Sequence, residues 1–214
     1  MASVEIGPRD VLLVIDVQND FCEGGALAVP GGDAVVPVVN RLMPRFPLVV
    51  LTQDWHPPGH GSFASSHPGR RPYDTIELEY GEQVLWPDHC VQGTRGAGFH
   101  PDLELDRAAL FLRKGSDPAV DSYSALYEND KRTPTGLAGW LRERGAGRLF
   151  LVGLATDFSV RYSALDARRA GFEVSVIEEA VRGIDVDGSV ATAWKELAAA
   201  GVSRVGEADL RPPG

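Results

Sequence analysis

The residue types best suited to chemistry crowd into one short segment that follows a strand-like apolar run. Asp54, His56 and His60 lie there, and His89 follows further along a chain that has only five histidines. One carboxylate with two or three imidazoles is a ligand set for a divalent metal that keeps positions open for water or substrate. A lone loop histidine is usually solvated, but the Pro-Pro-Gly turn after His56 brings His60 back towards it. The pattern predicts metal-assisted chemistry, or a ligand bound through a metal.

Other polar residues stand at the ends of further apolar runs. Asp16 ends the first run, Lys114 follows the third, and the segment 153–157 follows the fourth and opens a helix. Ligands of open α/β sheets bind at the carboxyl ends of the strands. Together with Asp54 after the second run, these residues predict one active site at one edge of the sheet.

Asp16 and Lys114 each have a catalytic and a structural interpretation. A carboxylate at the end of a buried strand can act as a partly desolvated general base, or it can cap a turn. The ammonium of Lys114 can hold Asp16 ionised or stabilise an oxyanion, or it can belong to a strand-end lysine that reaches solvent. Arg113 competes for this role, and strand alternation allows only one of the two to face the site.

Three aromatic residues, Phe21, Trp86 and Tyr123, lie in loops beside these polar positions. They indicate a pocket for a flat ring, with unrelated minor core residues as the alternative. His67 and His100 lie in proline-containing loops, and we interpret both as structural or surface residues.

The elements that must position these residues alternate along the chain. Six apolar runs predict strands covered on both faces, at 11–15, 48–51, 109–112, 149–152, 174–177 and 202–205. Helical periodicity or capping favours helices at 33–46, 136–144, 159–170 and 189–200. The alternation predicts an α/β fold, a three-layer α/β/α sandwich around a mainly parallel sheet of about six strands. The stretch 57–102 is expected to be mostly irregular.

Length and charge narrow the function classes. The 214 residues, 43% of them apolar, fit a single domain covering 1–214. A net charge of −9 argues against nucleic acid and anionic membrane surfaces as partners. No apolar run has the length of a membrane span, and the first residues lack the features of a secretory signal. Cys22 and Cys90 give no disulfide framework, so we expect a cytoplasmic protein with free thiols.

Five motifs taken in order resemble the nicotinamidase/pyrazinamidase branch of the isochorismatase-like hydrolases. They are residues 14–21, 54–56, 86–90, 114–115 and 153–157, and the resemblance runs from about residue 10 to 205. It implies the isochorismatase-like hydrolase fold. It also implies an amidohydrolase acting on linear amides, which converts nicotinamide to nicotinate and ammonia in NAD salvage and pyridine nucleotide biosynthesis, and pyrazinamide by analogy.

The same resemblance implies a metal site. Asp54, His56 and His89 correspond to the ligands of one divalent ion such as zinc, iron or manganese, and His60 is a candidate fourth ligand. The pyridine nitrogen of the substrate would complete the shell of the ion.

The resemblance also implies how the substrate is held. Phe21 and Trp86 would flank the ring, with Tyr123 and Leu154 as further substrate-binding residues. The peptide bond Leu154–Ala155 corresponds to one that is cis in relatives, and it would direct the backbone amides of Ala155 and residue 159 at the developing oxyanion.

The catalytic triad of the family is Asp, Lys and Cys, and this chain departs from it at one place. Asp16 and Lys114 fill two positions, whereas Ser159 stands where the family has cysteine. A serine hydroxyl is far less acidic than a thiol, so we expect a chain that binds substrate but turns it over poorly. Two origins of Ser159 stay open, a deliberate substitution made to capture a ligand and a natural variant.

Two further functions are compatible with these residues. One is a non-catalytic binding protein that keeps the pocket, and the other is a hydrolase of vinyl ethers of the isochorismatase type, which needs no thiol. Relatives of the second kind lack the Asp-x-His set. The expected partner is the small molecule nicotinamide, and the choice between monomer and homo-oligomer stays open.

Overall fold

A central parallel sheet of six strands organises the computed structural model, which describes residues 3–211. Its strands are β2 Asp10–Ile15, β3 Leu48–Asp54, β6 Leu110–Lys114, β7 Arg148–Leu154, β8 Glu173–Arg182 and β9 Ser203–Val205. Across the sheet they follow the order β6-β3-β2-β7-β8-β9. All five pairings within this sheet are parallel. The predicted α/β fold with six strands is confirmed.

Helices cover both faces of the sheet. They are α1 Val35–Leu42, α2 Leu137–Glu143, α3 Arg161–Arg169 and α4 Ser189–Ala199. Alternate residues of β2 enter two separate apolar clusters, Leu12 in the one that contains α1 and Leu13 in the one that contains residues of α2, α3 and α4. A strand buried on both faces has no polar side, and this is why its sequence is continuously apolar.

Smaller pairings lie outside the main sheet. β1 Val4–Glu5 pairs with β10 Leu210–Arg211, and β4 Thr75–Leu78 forms an antiparallel hairpin with β5 Gly81–Val84. The hairpin lies in the stretch expected to be mostly irregular. Its strands are four residues long and only partly buried, so they lack the apolar run by which the main strands are recognised.

The third predicted helix differs from the observed one at its start. A π-helical turn, Thr156–Val160, precedes α3, so Ser159 lies in that turn and not in the first turn of an α-helix. None of the helices within residues 3–211 is both long and apolar enough to cross a membrane.

Candidate active site

Strand register brings the buried charges together. Asp54 ends β3 directly opposite Lys114, which ends β6, and Asp16 follows the neighbouring strand β2. The Lys114 Nζ lies 2.9 Å from Asp16 Oδ2, forms an ion pair with Asp54, and donates a hydrogen bond of 2.8 Å to the carbonyl of Ser122. Arg113 is exposed and stacks on Trp55, 3.8 Å from the ring centroid. Of the two basic neighbours, Lys114 is the one that faces the site.

The environment of Asp16 suits a general base. Thr52 Oγ1 donates to Asp16 Oδ1 at 2.5 Å, and burial raises the Asp16 pKa to about 6 although the Lys114 charge lowers it. Burial lowers the pKa of Lys114, but the charges of Asp16 and Asp54 outweigh burial and raise it. Lys114 therefore stays cationic at neutral pH, and Asp16 can exchange a proton near that pH.

Asp54, His56 and His89 have the geometry of metal ligands. The Nε2 atoms of both histidines lie 3.9 Å from Asp54 Oδ2, and one ion with bonds of about 2.0–2.2 Å can bridge atoms at this separation. Each Nδ1–H donates to a carbonyl, His56 to Gly115 at 2.9 Å and His89 to Pro87 at 2.8 Å. These bonds leave the Nε2 lone pairs directed at the shared space.

Burial also keeps both imidazoles neutral, as ligands must be. It lowers the pKa of His56 to about 4, and it lowers the pKa of His89. Since the donor types, the tautomers and the protonation states agree, these residues can hold a divalent metal ion.

His60, unlike His56 and His89, directs no nitrogen lone pair at the shared space. The loop does bring its ring to a centroid distance of 4.4 Å from that of His56. However, its Nε2 donates to the Asp117 carbonyl at 2.8 Å, while its Nδ1 accepts from the amide and the hydroxyl of Ser62. Neither nitrogen of His60 has a free lone pair, and we leave it out of the proposed ligand set.

A separate cluster of metal-binding residue types is formed by Cys22, Asp33 and His100. The hydrogen bonds of His100 do not suit a metal ligand. The Nε2 of His100 lies 3.2 Å from Asp33 Oδ1, and its Nδ1 accepts from the Asp102 amide at 3.2 Å. This is the reverse of the tautomer found at His56 and His89. The hydrogen on His100 Nε2 therefore points towards Asp33, into the place that an ion would occupy.

A narrow pocket of about 20 Å³ joins the candidate ligands to the aromatic residues. Six residues selected from the sequence line it: Phe21, Asp54, Trp86, His89, Tyr123 and Ser159. Ala155 lines it too, and the Leu154–Ala155 bond is cis. The side chain of Leu154 instead packs in the apolar cluster on the α1 face. Four further lining residues were not predicted from the sequence: Leu27, Asp121, Phe158 and Ile184.

Hydrogen bonds hold the pocket wall in place. The hydroxyl of Tyr123 accepts from Trp86 Nε1 at 3.0 Å and lies 2.8 Å from Gln83 Nε2, which also reaches Asp121 Oδ2 at 2.9 Å. Gln83 belongs to β5, so the hairpin supports two of the lining residues. Only the fold brings Gln83 to this site, and no pattern in the sequence indicates it.

Asp157 has a structural part in the same wall. Its carboxylate accepts hydrogen bonds from the amides of Ile184 and Asp185 and from the hydroxyl of Ser189. It thereby holds the loop that carries Ile184 against the turn that carries Ser159.

Comparisons with known proteins agree with this geometry. The protein-family model of the isochorismatase domain matches residues 10–208 of this chain. A nicotinamidase of Acinetobacter baylyi is 52% identical over 199 residues, which cover 93% of each chain. The structure of an Acinetobacter baumanii nicotinamidase/pyrazinamidase matches at 52% identity with a TM-score of 0.94, covering 95% of this chain and 98% of that one. The pyrazinamidase of Pyrococcus horikoshii, solved in complex with zinc, matches at 36% identity with a TM-score of 0.76, covering 93% and 99%.

Proposed function

This chain belongs to the isochorismatase family, and we propose that it is a metal-dependent nicotinamidase. The reaction is hydrolysis of nicotinamide to nicotinate and ammonia, with pyrazinamide as a second substrate. The observation that carries the proposal is the single pocket in which two candidate metal ligands, aromatic walls and Ser159 meet. Nicotinate formed in this way would enter pyridine nucleotide synthesis, as in NAD salvage.

Asp54, His56 and His89 would hold the metal ion, with zinc, iron and manganese as candidates. A bound divalent ion supplies a Lewis acid for the ring nitrogen of the substrate. Zinc is supported by the Pyrococcus horikoshii pyrazinamidase, whose structure contains it. The aromatic side chains of Phe21 and Trp86 would flank the ring of the substrate, because both line the pocket.

The residues of the chain then supply the proton transfers. Asp16 accepts the proton of the Ser159 hydroxyl, whose oxygen attacks the carboxamide carbon. The amides of Ala155 and Ser159 stabilise the oxyanion, and Asp16 returns its proton to the departing ammonia. Water that is deprotonated by Asp16 then cleaves the ester, and Asp16 returns that proton to the departing Ser159 oxygen. Lys114 balances the negative charge of Asp16 throughout.

Serine makes the first of these steps slow. Its hydroxyl is far less acidic than a thiol, and a carboxylate with a pKa of about 6 is a weak base for it. His56 and His89, which line or adjoin the pocket, keep their Nδ1 hydrogens on backbone carbonyls and are assigned to the metal. We propose that the chain binds nicotinamide well and turns it over slowly.

Binding and ammonia release test this function together. Metal-loaded protein should bind nicotinamide more tightly than benzamide, which has no ring nitrogen, by about 1–3 kcal/mol. It should also release ammonia from nicotinamide faster than its Ser159→Ala variant. Equal affinity for the two amides would refute the proposed metal contact. Tight binding with no ammonia above the Ser159→Ala rate would instead identify a binding protein. Turnover of isochorismate but not nicotinamide would identify the vinyl ether hydrolase.

A further inference from the structure

An apolar groove at the free edge of the main sheet is not used by the proposed reaction. It has a volume of about 820 Å³ and lies between β6 and the segment 93–105. Aromatic and aliphatic side chains form much of its lining: Trp55, Phe99, Leu103, Leu105 and Phe111. It shares no lining residue with the pocket that contains Ser159.

The groove concentrates the exposed apolar surface of the molecule. Among residues 3–211, the large apolar side chains with the greatest exposure are Tyr73 at 47%, Leu105 at 37% and Phe111 at 48%. Two of these three, Leu105 and Phe111, line this one groove. Exposed apolar side chains that share one groove favour an interaction site more than isolated ones do, because isolated apolar residues are common on protein surfaces.

The strand beside the groove also has an unpaired edge. β6 stands at the end of the sheet and pairs with β3 alone. An edge strand presents free backbone N–H and C=O groups to any strand that approaches it. Its exposed side chains do little to prevent such pairing, since Phe111 is apolar and Arg113 is drawn back onto Trp55.

The opposite wall of the groove is already rigid. Asn40 of α1 donates to the Asp102 carbonyl at 2.8 Å and accepts from the Glu104 amide at 3.0 Å. His100 donates its amide hydrogen to the Val17 carbonyl at 3.0 Å. A preformed wall costs little ordering entropy when a partner binds.

The exposed charged side chains around the groove have both signs, which favours a partner surface on which positive and negative charges are also mixed. Asp102, Glu104 and Asp106 are exposed on the wall, and Arg107 and Arg113 are exposed beside them. Two chains of net charge −9 repel each other overall. A patch with both signs is where they can meet, because a two-fold axis through it can place the arginines of one copy near the acids of the other.

We propose that this face is the contact between two copies of the chain. The copies are related by a two-fold axis, β6 lies antiparallel to β6, and the Phe111 of each copy enters the groove of the other. The two sheets then form one continuous sheet. The proposal is independent of the reaction in the pocket.

Sedimentation equilibrium of the full chain at increasing concentration tests the proposal. We expect a species of twice the chain mass of 23.0 kDa. Phe111→Glu and Leu105→Glu should each raise the dimer dissociation constant at least about tenfold. Tyr73→Glu, which removes the third exposed apolar side chain, should dimerise like the wild type. A wild-type chain that stays at 23.0 kDa at every concentration, or dimers unaffected by Phe111→Glu, would overturn the proposal.

Amide hydrogen exchange distinguishes edge pairing from other modes of contact. Exchange at residues 110–114 should slow as the protein is concentrated, and this effect should vanish in the Phe111→Glu variant. Dimers in which exchange at these amides does not change would show that the copies meet through another surface, and the proposed contact would be wrong.

Discussion

At the residue scale, the proposed chemistry depends on a buried lysine shared by two carboxylates. The Nζ of Lys114 pairs with Asp16 and Asp54, and all three groups are almost fully buried. Removing one partner of such a cluster leaves an uncompensated buried charge, which costs about 3–5 kcal/mol. Substitutions here therefore affect folding as well as catalysis, so conservative changes such as Asp16→Asn are the informative ones.

The pKa of Asp16 predicts how the reaction depends on pH. Burial raises this pKa to about 6, so the base is ionised above that pH and protonated below it. We predict that kcat/KM for nicotinamide falls about tenfold per pH unit below about pH 6. Circular dichroism at each pH controls for unfolding. A rate that stays level down to about pH 5 in folded protein would show that Asp16 is not the base.

The tautomers of the two ligand histidines predict a selective loss of metal. His56→Ala should abolish bound divalent metal, measured by elemental analysis after dialysis, because it removes an Nε2 lone pair from the shared space. His67→Ala is the matched control, since the Nε2 of His67 lies 2.8 Å from the Gly61 carbonyl, away from that space. Full metal content in the His56→Ala variant would contradict the assignment.

The sequence predicts the residues with chemical side chains better than those that shape the pocket around them. Asp54, His56 and His89 stand out by type and spacing, and the structure brings them together. Leu27 and Phe158 line the pocket without any pattern that separates them from core residues. For His60 the spacing predicts proximity to His56 correctly, but it gives no sign of the hydrogen bonds that both ring nitrogens of His60 make.

At the element scale, the close packing of β2 against β7 sets the position of the site. Gly153 has φ of +109°, and a Cβ placed on it would lie 2.0 Å from the carbonyl oxygen of Ile15. Ile15 immediately precedes Asp16, so this contact fixes where the base leaves its strand. Only glycine fits the position.

Substitution of this glycine should therefore be costly. Gly153→Ala combines about 1–3 kcal/mol for overpacking with about 1–3 kcal/mol for the left-handed backbone. We predict a loss of about 2–6 kcal/mol in urea denaturation. Gly139→Ala in α2 is the control, since its Cβ meets no atom within 4 Å and it should stabilise by about 0.5–1 kcal/mol. Equal midpoints for the two variants would refute the packing argument.

The central strands β2, β3 and β7 could be predicted because each buries both faces. The hairpin β4–β5 and the π-helical turn Thr156–Val160 could not. The hairpin has too little buried surface to impose a pattern on its sequence. The turn depends on contacts distant in sequence, such as those of Asp157 with the loop that contains Ile184.

At the scale of the whole molecule, the proposed amide hydrolase site differs at one atom, the oxygen of Ser159, from the pattern that the sequence resembles. The sheet positions Asp16, Asp54 and Lys114, the loops position His56, His89 and the aromatic walls, and the pocket contains Ser159. Binding energy and catalytic power should therefore be separable. Nicotinamide affinity depends on the walls and the metal, whereas the rate depends on the oxygen or sulfur at position 159.

The most direct measurement of this claim is ammonia release from nicotinamide by the metal-loaded Ser159→Cys variant. We predict an increase over the Ser159 chain on the order of 10⁴ to 10⁶, the range lost when a nucleophile is removed from other hydrolases, with nearly unchanged nicotinamide affinity. Adding Asp16→Asn should abolish the gain, because the thiol then lacks its base. Ammonia release that stays at the rate of the Ser159 chain in folded, metal-loaded Ser159→Cys protein would contradict the account.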